Sequence, residues 1–108
     1  MQNHQYQELL TTVHECMETC NVCFDACLKE EDVKMMSECI RLDRECAEIC
    51  SLLEQAITRN SPFIKEIAAL CATVCEACYK ECSQHDDDHC KRCAETCKAC
   101  AEACRKIA

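Results

Sequence analysis

The apolar positions of this chain advance in steps of three and four, and over long stretches the residue on that stripe is cysteine. One twelve-residue word, Cys-x3-Cys-x2-Cys-x3-Cys, occurs intact three times: Cys16, Cys20, Cys23, Cys27; Cys71, Cys75, Cys78, Cys82; and Cys93, Cys97, Cys100, Cys104. A fourth copy keeps Cys39, Cys46 and Cys50 but has Asp43 where the second cysteine would fall. Steps of 4, 3 and 4 set every thiol of a copy along one face of an α-helix, the a and d seam of a heptad pattern.

Extended through its apolar neighbours, the stripe predicts four helices, at about 3–29, 32–58, 62–84 and 87–106. The first runs from Tyr6, Leu9 and Val13 into its cysteines. The second, with Asp32 as N-cap, carries Met35 or Met36, then Cys39, Leu42, Cys46, Cys50, Leu53 and Ile57. Ser61-Pro62 opens the third, a Ser cap followed by Pro at the first helical position, where its missing N–H is no loss; Ile64 and Ile67 lead inward to its cysteines. An Asp from Asp86-Asp87-Asp88 caps the fourth, which bears Cys90, the last copy of the word and Ile107.

Short connections make successive helices antiparallel neighbours. Residues 1–108 are therefore expected to form one domain, an all-α, up-down-up-down four-helix bundle with cysteines lining the core. Facing residues of an antiparallel hairpin have numbers of constant sum, which pairs Cys16 with Cys46, Cys23 with Cys39, Cys20 with Leu42 and Cys27 with Met35. In the second hairpin it pairs Cys82 with Cys93, Cys78 with Cys97, Cys75 with Cys100 and Cys71 with Cys104. The two ends are unlike: Tyr6, Leu9, Val13, Leu53, Ile57, Phe63, Ile64, Ile67 and Ile107 form an apolar plug. Cys27, Met35, Met36, Cys39, Cys82, His85, His89 and Cys90 gather at the opposite mouth.

Composition supports helices: there is no glycine, one proline, and only two tyrosines and two phenylalanines in 108 residues. A net charge of -8 argues against nucleic-acid binding, which needs clustered Lys and Arg. Met1 to Tyr6 has no basic leader pattern, and no stretch approaches the ~20 apolar residues of a membrane span, so a cytoplasmic protein is expected. Cytosolic thiols stay reduced, which favours metal binding over disulfides for 16 cysteines.

Thiols at i and i+4 can converge on one ion, and seven Cys-x3-Cys pairs can be counted. A two-sulfur site suits Cu(I), which is soft and accepts low coordination, whereas Zn(II) asks for four ligands in a tetrahedron. About one monovalent ion per thiolate also leaves the interior near neutral. Metal-free, neutral thiols behave as small hydrophobes, so a folded apo form is expected. The metal candidates are thus Cys16, Cys20, Cys23, Cys27, Cys39, Cys46, Cys50, Cys71, Cys75, Cys78, Cys82, Cys90, Cys93, Cys97, Cys100 and Cys104, joined at the mouth by Met35, Met36, His85 and His89.

Other readings stay open. Cys20/Cys23, Cys75/Cys78, Cys90/Cys93 and Cys97/Cys100 are Cys-x2-Cys pairs, which keeps iron–sulfur or multi-zinc binding as the alternative, although the ferredoxin run is missing. A redox enzyme needs such a pair at an exposed helix start, and only Cys90/Cys93 lies near one. A disulfide-stapled hairpin uses far fewer cysteines, and a metallothionein-like coil lacks the helical period. His14 reads as a surface or interface residue, His4 as solvated, and Asp43 as turned sideways with Leu42 inward. Glu76, Lys80, Glu95 and Lys98 read as solvated positions with partners three or four residues away.

On these residues the chain resembles the bacterial copper storage proteins of the cytosolic type. That resemblance implies a four-helix bundle that holds many Cu(I) ions, assembles into homotetramers and buffers or stores copper. A non-enzymatic store is expected, with copper ions and low-molecular-weight copper ligands as its partners. Asp43 and the apolar plug depart from the resemblance.

Overall fold

The computed structural model describes residues 6–108, and His4 lies outside them. Four antiparallel helices make up the described residues: α1 Gln7–Leu28, α2 Ser37–Thr58, α3 Ile64–Cys82 and α4 Asp88–Ile107, with a 3-10 turn at Val33–Met36 before α2. Each helix lies against its neighbours in chain order, and α1 closes the ring against α4. The bundle extends 48 × 19 × 18 Å.

The stripe forms the core. Every cysteine is a free thiol with no solvent exposure, and Val13, Leu53, Ala56, Ala68 and Ala72 are equally enclosed. Tyr6, Leu9, Ile57 and Ile64 close one end, with Ile67 and Ile107 half-buried against them. Phe63, expected in this plug, is 61% exposed instead. The cause is the start of α3: Ser61 Oγ accepts the Phe63 N–H at 3.0 Å, so the Ser61-Pro62 signal makes a turn and the helix begins only at Ile64. The α3 stripe then runs Ile64, Ala68, Cys71.

α2 ends in a Schellman closure without glycine. Asn60 takes φ 56, the Asn60 N–H donates to Ile57 O at 3.1 Å, and the Ser61 N–H donates to Ala56 O at 2.8 Å. Asn tolerates this left-handed geometry better than other non-glycine residues. At the other end, Asp32 makes no side-chain cap to the turn that follows it. That 3-10 turn shifts the phase of the stripe: Met36 is buried and Met35 is 68% exposed, so Met35 does not face Cys27.

Outside the core, Glu76 and Lys98 find partners across helices rather than along them. Arg105 donates to both carboxylate oxygens of Glu76, at 2.7 and 3.1 Å, and the Lys98 ammonium stands 5.8 Å from the Tyr79 ring centre. His14 lies on the surface with Nδ1 3.2 Å from Glu54 and Nε2 3.6 Å from Glu18, and its pKa is raised by the bond to Glu54.

Candidate metal centre

Helical stepping fixes the sulfurs along each helix, and the antiparallel register fixes them across the bundle. Between α1 and α2, Cys16 Sγ lies 3.8 Å from Cys46 Sγ. Between α1 and α4, Cys16 meets Cys97 at 3.8 Å, Cys20 meets Cys93 at 3.7 Å and Cys23 meets Cys90 at 3.9 Å. Between α2 and α3, Cys39 meets Cys82 at 3.3 Å, Cys46 meets Cys75 at 3.5 Å and Cys50 meets Cys71 at 3.8 Å. Along single helices, Cys23–Cys27, Cys71–Cys75 and Cys93–Cys97 are each 3.8 Å apart, and Cys78–Cys82 is 3.9 Å. Contacts between helices are thus as short as those within a Cys-x3-Cys pair.

The result is a net of four-sulfur groups whose members all lie within 4.8 Å of one another. They include Cys16, Cys46, Cys50, Cys75; Cys16, Cys20, Cys46, Cys97; Cys20, Cys78, Cys93, Cys97; Cys23, Cys27, Cys39, Cys90; and Cys50, Cys71, Cys75, Cys100. Each of these five joins one Cys-x3-Cys pair to thiols from two other helices. Such groups can hold soft metal ions in two- or three-coordinate thiolate sites, with sulfurs shared between neighbouring ions. Cys82 and Cys104 continue the net at its two ends: Cys82 touches Cys39 and Cys78, and Cys104 lies fully buried at the last turn of the α4 stripe.

In the metal-free state, burial opposes ionisation of the thiols at the mouth. Cys27 is raised for this reason, and Cys90 is pushed up to about 12 by burial reinforced by the charge of Cys39. Deeper in, thiols exchange hydrogen bonds, so a thiolate formed at one sulfur is stabilised by its neighbours' S–H groups.

Asp43 is the main correction to the sequence-based expectation. Its side chain is fully buried, while Leu42 is half-buried towards the outside. Oδ1 accepts from Cys93 at 3.2 Å, Cys78 at 3.3 Å and Cys82 at 3.6 Å, and Oδ2 accepts from Cys39 at 3.8 Å. The step from Cys39 to Asp43 to Cys46 is the same 4-3 step as in the intact words, and backbone geometry overrides the carboxyl's preference for water. Desolvation pushes its pKa up to about 9, so it sits in the core as a neutral acid.

The mouth residues separate into two kinds. His89 Nδ1 lies 3.4 Å from Cys23 Sγ, 3.6 Å from Cys90 Sγ and 4.0 Å from Cys27 Sγ, while Nε2 contacts Glu30 at 2.7 Å. His85 Nε2 instead bonds Glu81 at 2.9 Å on its own helix end. Met36 is buried just before α2 and Met35 is exposed. Glu30 was not a candidate from sequence; only its place beside the α1 terminus, opposite the start of α4, could have suggested it.

Comparison with known proteins places this arrangement. Residues 2–108 match a family model described as copper storage protein. The Cu(I)-bound copper storage protein BsCsp3, of Bacillus subtilis, superposes with TM-score 0.92 at 51% identity, covering 95% of this chain and 97% of that one. A cytosolic copper storage protein from Streptomyces lividans, described with five coppers, gives TM-score 0.88 at 34% identity over 92% of this chain and 88% of that one. An uncharacterised cysteine-rich protein of Bacillus subtilis, YhjQ, is 53% identical over 62 residues, a match spanning 57% of each chain. With the family match running almost the full length of the chain and the thiol net in the core, the chain belongs to the copper storage protein family.

Proposed function

We propose that this protein is a non-enzymatic, cytoplasmic store that buffers many Cu(I) ions on the sixteen core cysteines. The observation that carries the reading is the net of buried thiols drawn from four helices into groups within 4.8 Å of one another. Cu(I) suits it because the five named groups are built from sulfur alone and because shared thiolates can neutralise monovalent ions pair by pair, through Cys-x3-Cys pairs and equally through contacts between helices. Each ion that binds displaces a thiol proton to solvent, which keeps the interior close to neutral as it fills.

Copper reaches the column at the end carrying His89, Met36, Cys27 and Cys90 and is donated by low-molecular-weight copper ligands. His85 stands at the rim of that end. The opposite end is closed by Leu9, Leu53 and Ile64. Among the described residues no helix is long and apolar enough to cross a membrane, and the Streptomyces protein is named as cytosolic. Homotetramer assembly belongs to the same proposal; the exposed Val22, Phe63 and Leu70 give the bundle apolar surface for it.

Anaerobic titration with Cu(I) against a competing chelator, with metal analysis beside it, tests the reading. The expected result is saturation at about one ion per cysteine, with no visible colour. Saturation at a few ions, or a brown iron-containing protein as isolated, would overturn it.

A further inference from the structure

Glu30 is the first residue beyond the α1 terminus with a side chain turned to the mouth. Its backbone N–H donates to Cys27 O at 3.2 Å, which fixes the residue against the end of α1. Its carboxylate reaches across the bundle to His89 Nε2 at 2.7 Å, with both side chains substantially enclosed, 34% and 18% exposed. A carboxylate only accepts, so the short contact requires a proton on Nε2. In the neutral ring that leaves Nδ1 as a lone pair, and Nδ1 is the atom facing Cys23, Cys90 and Cys27 at 3.4, 3.6 and 4.0 Å.

We propose that Glu30 is a positioning residue for copper loading: it selects the His89 tautomer and ring orientation that present Nδ1 to the three mouth thiols as a fourth donor. The inference rests on the mouth reading given above and deepens it. Carboxylates that accept from the far nitrogen of a metal-binding imidazole fix its orientation and raise its basicity, and losing them costs about 10–100-fold in affinity or activity. The mouth then offers an arriving Cu(I) ion a mixed nitrogen–sulfur site. An imidazole lone pair needs no deprotonation to bind, whereas a thiol must release its proton before it ligates as thiolate. His89 can therefore take the ion from its donor first and pass it to sulfur. His85 lacks this arrangement, because its carboxylate partner Glu81 lies in the last turn of α3 just before it and no sulfur stands within hydrogen-bond range of its ring among the described contacts.

The test uses the full chain, reduced and metal-free, with the His89 ring nitrogens observed by long-range 1H–15N correlation NMR, followed by stopped-flow loading of the first Cu(I) equivalent from a chelate. In the unaltered protein Nε2 carries the proton and Nδ1 does not. Glu30→Gln, which can still accept through its amide oxygen, keeps that tautomer and loads near the original rate. Glu30→Ala lets the Nδ1–H tautomer appear and slows loading by about tenfold. Glu30→Lys, which offers a donor instead, moves the proton to Nδ1 and slows loading further. A tautomer unchanged in both Glu30→Ala and Glu30→Lys, or an Nδ1 already protonated in the unaltered protein, overturns the proposal. So does fast loading by Glu30→Ala where His89→Ala is slow. If His89→Ala itself loads at the original rate, the mouth reading fails, and the tautomer measurement still decides whether Glu30 positions the ring.

Discussion

A carboxyl group among thiols changes how the fold responds to pH. Asp43 has its pKa lifted from 3.8 to about 9, by burial first and by the charge of Cys93 second. Between those values the folded chain holds a proton that the unfolded chain has released, so stability is greatest on the acid side and declines as pH rises. One such group gives a slope of at most about 1.4 kcal/mol per pH unit. Urea unfolding of the metal-free, reduced protein between about pH 5 and pH 7.5 should show this decline. Asp43→Asn should flatten it, since the amide still accepts from Cys78 and Cys93 without titrating. His14, also raised, slopes the same way but is common to both chains and cancels in the comparison. An identical slope in Asp43→Asn would show that the carboxyl is ionised in the fold.

At the scale of the elements, stability and metal chemistry are separated along the same helices. Leu53 is fully buried in the plug, one turn beyond Cys50 towards the closed end. Leu53→Ala should cost about 2–5 kcal/mol in the metal-free protein, read as a lowered thermal midpoint by circular dichroism, while the Cu(I) capacity stays unchanged. A reduced capacity would mean that the plug also shapes the sulfur net. The helices, their antiparallel order and the inward cysteines were legible in the sequence because a 4-3-4 step has only one stripe to occupy. What was not legible arose where local backbone breaks that step. The 3-10 turn at Val33–Met36 rotates Met36 inward and Met35 out, and the turn at Ser61–Phe63 leaves Phe63 outside. Asp43 failed for the opposite reason: the step held, and residue polarity was the misleading signal. The His89–Glu30 contact joins the connection after α1 to the first turn of α4, and no periodicity within a helix reports on it.

Taken as a whole molecule, the bundle distributes its ligands so that no helix owns a site. Each of the five four-sulfur groups named above draws on three helices, so an ion held there ties together elements that apolar packing alone already aligns. Cys78 and Cys82, 3.9 Å apart beside Asp43, carry the line of sulfur contacts from the mouth cluster to the deeper thiols. From there it continues through Cys97, Cys46 and Cys75 towards Cys71. An ion can therefore advance by exchanging one sulfur at a time, without passing through water.

The closed end has a consequence for time as well as space. On the proposed route through the mouth, a column closed by the buried Leu9, Leu53 and Ile64 at its far end fills as a stack, with the ions that arrive last nearest the exit. Chains loaded first with one stable copper isotope and then with another should surrender the second before the first to a chelator, read by mass spectrometry of the released metal. Isotopes released in the proportions loaded would mean that the ions mix inside faster than they leave. On the ordered outcome, the protein keeps a record of the sequence in which its copper was acquired.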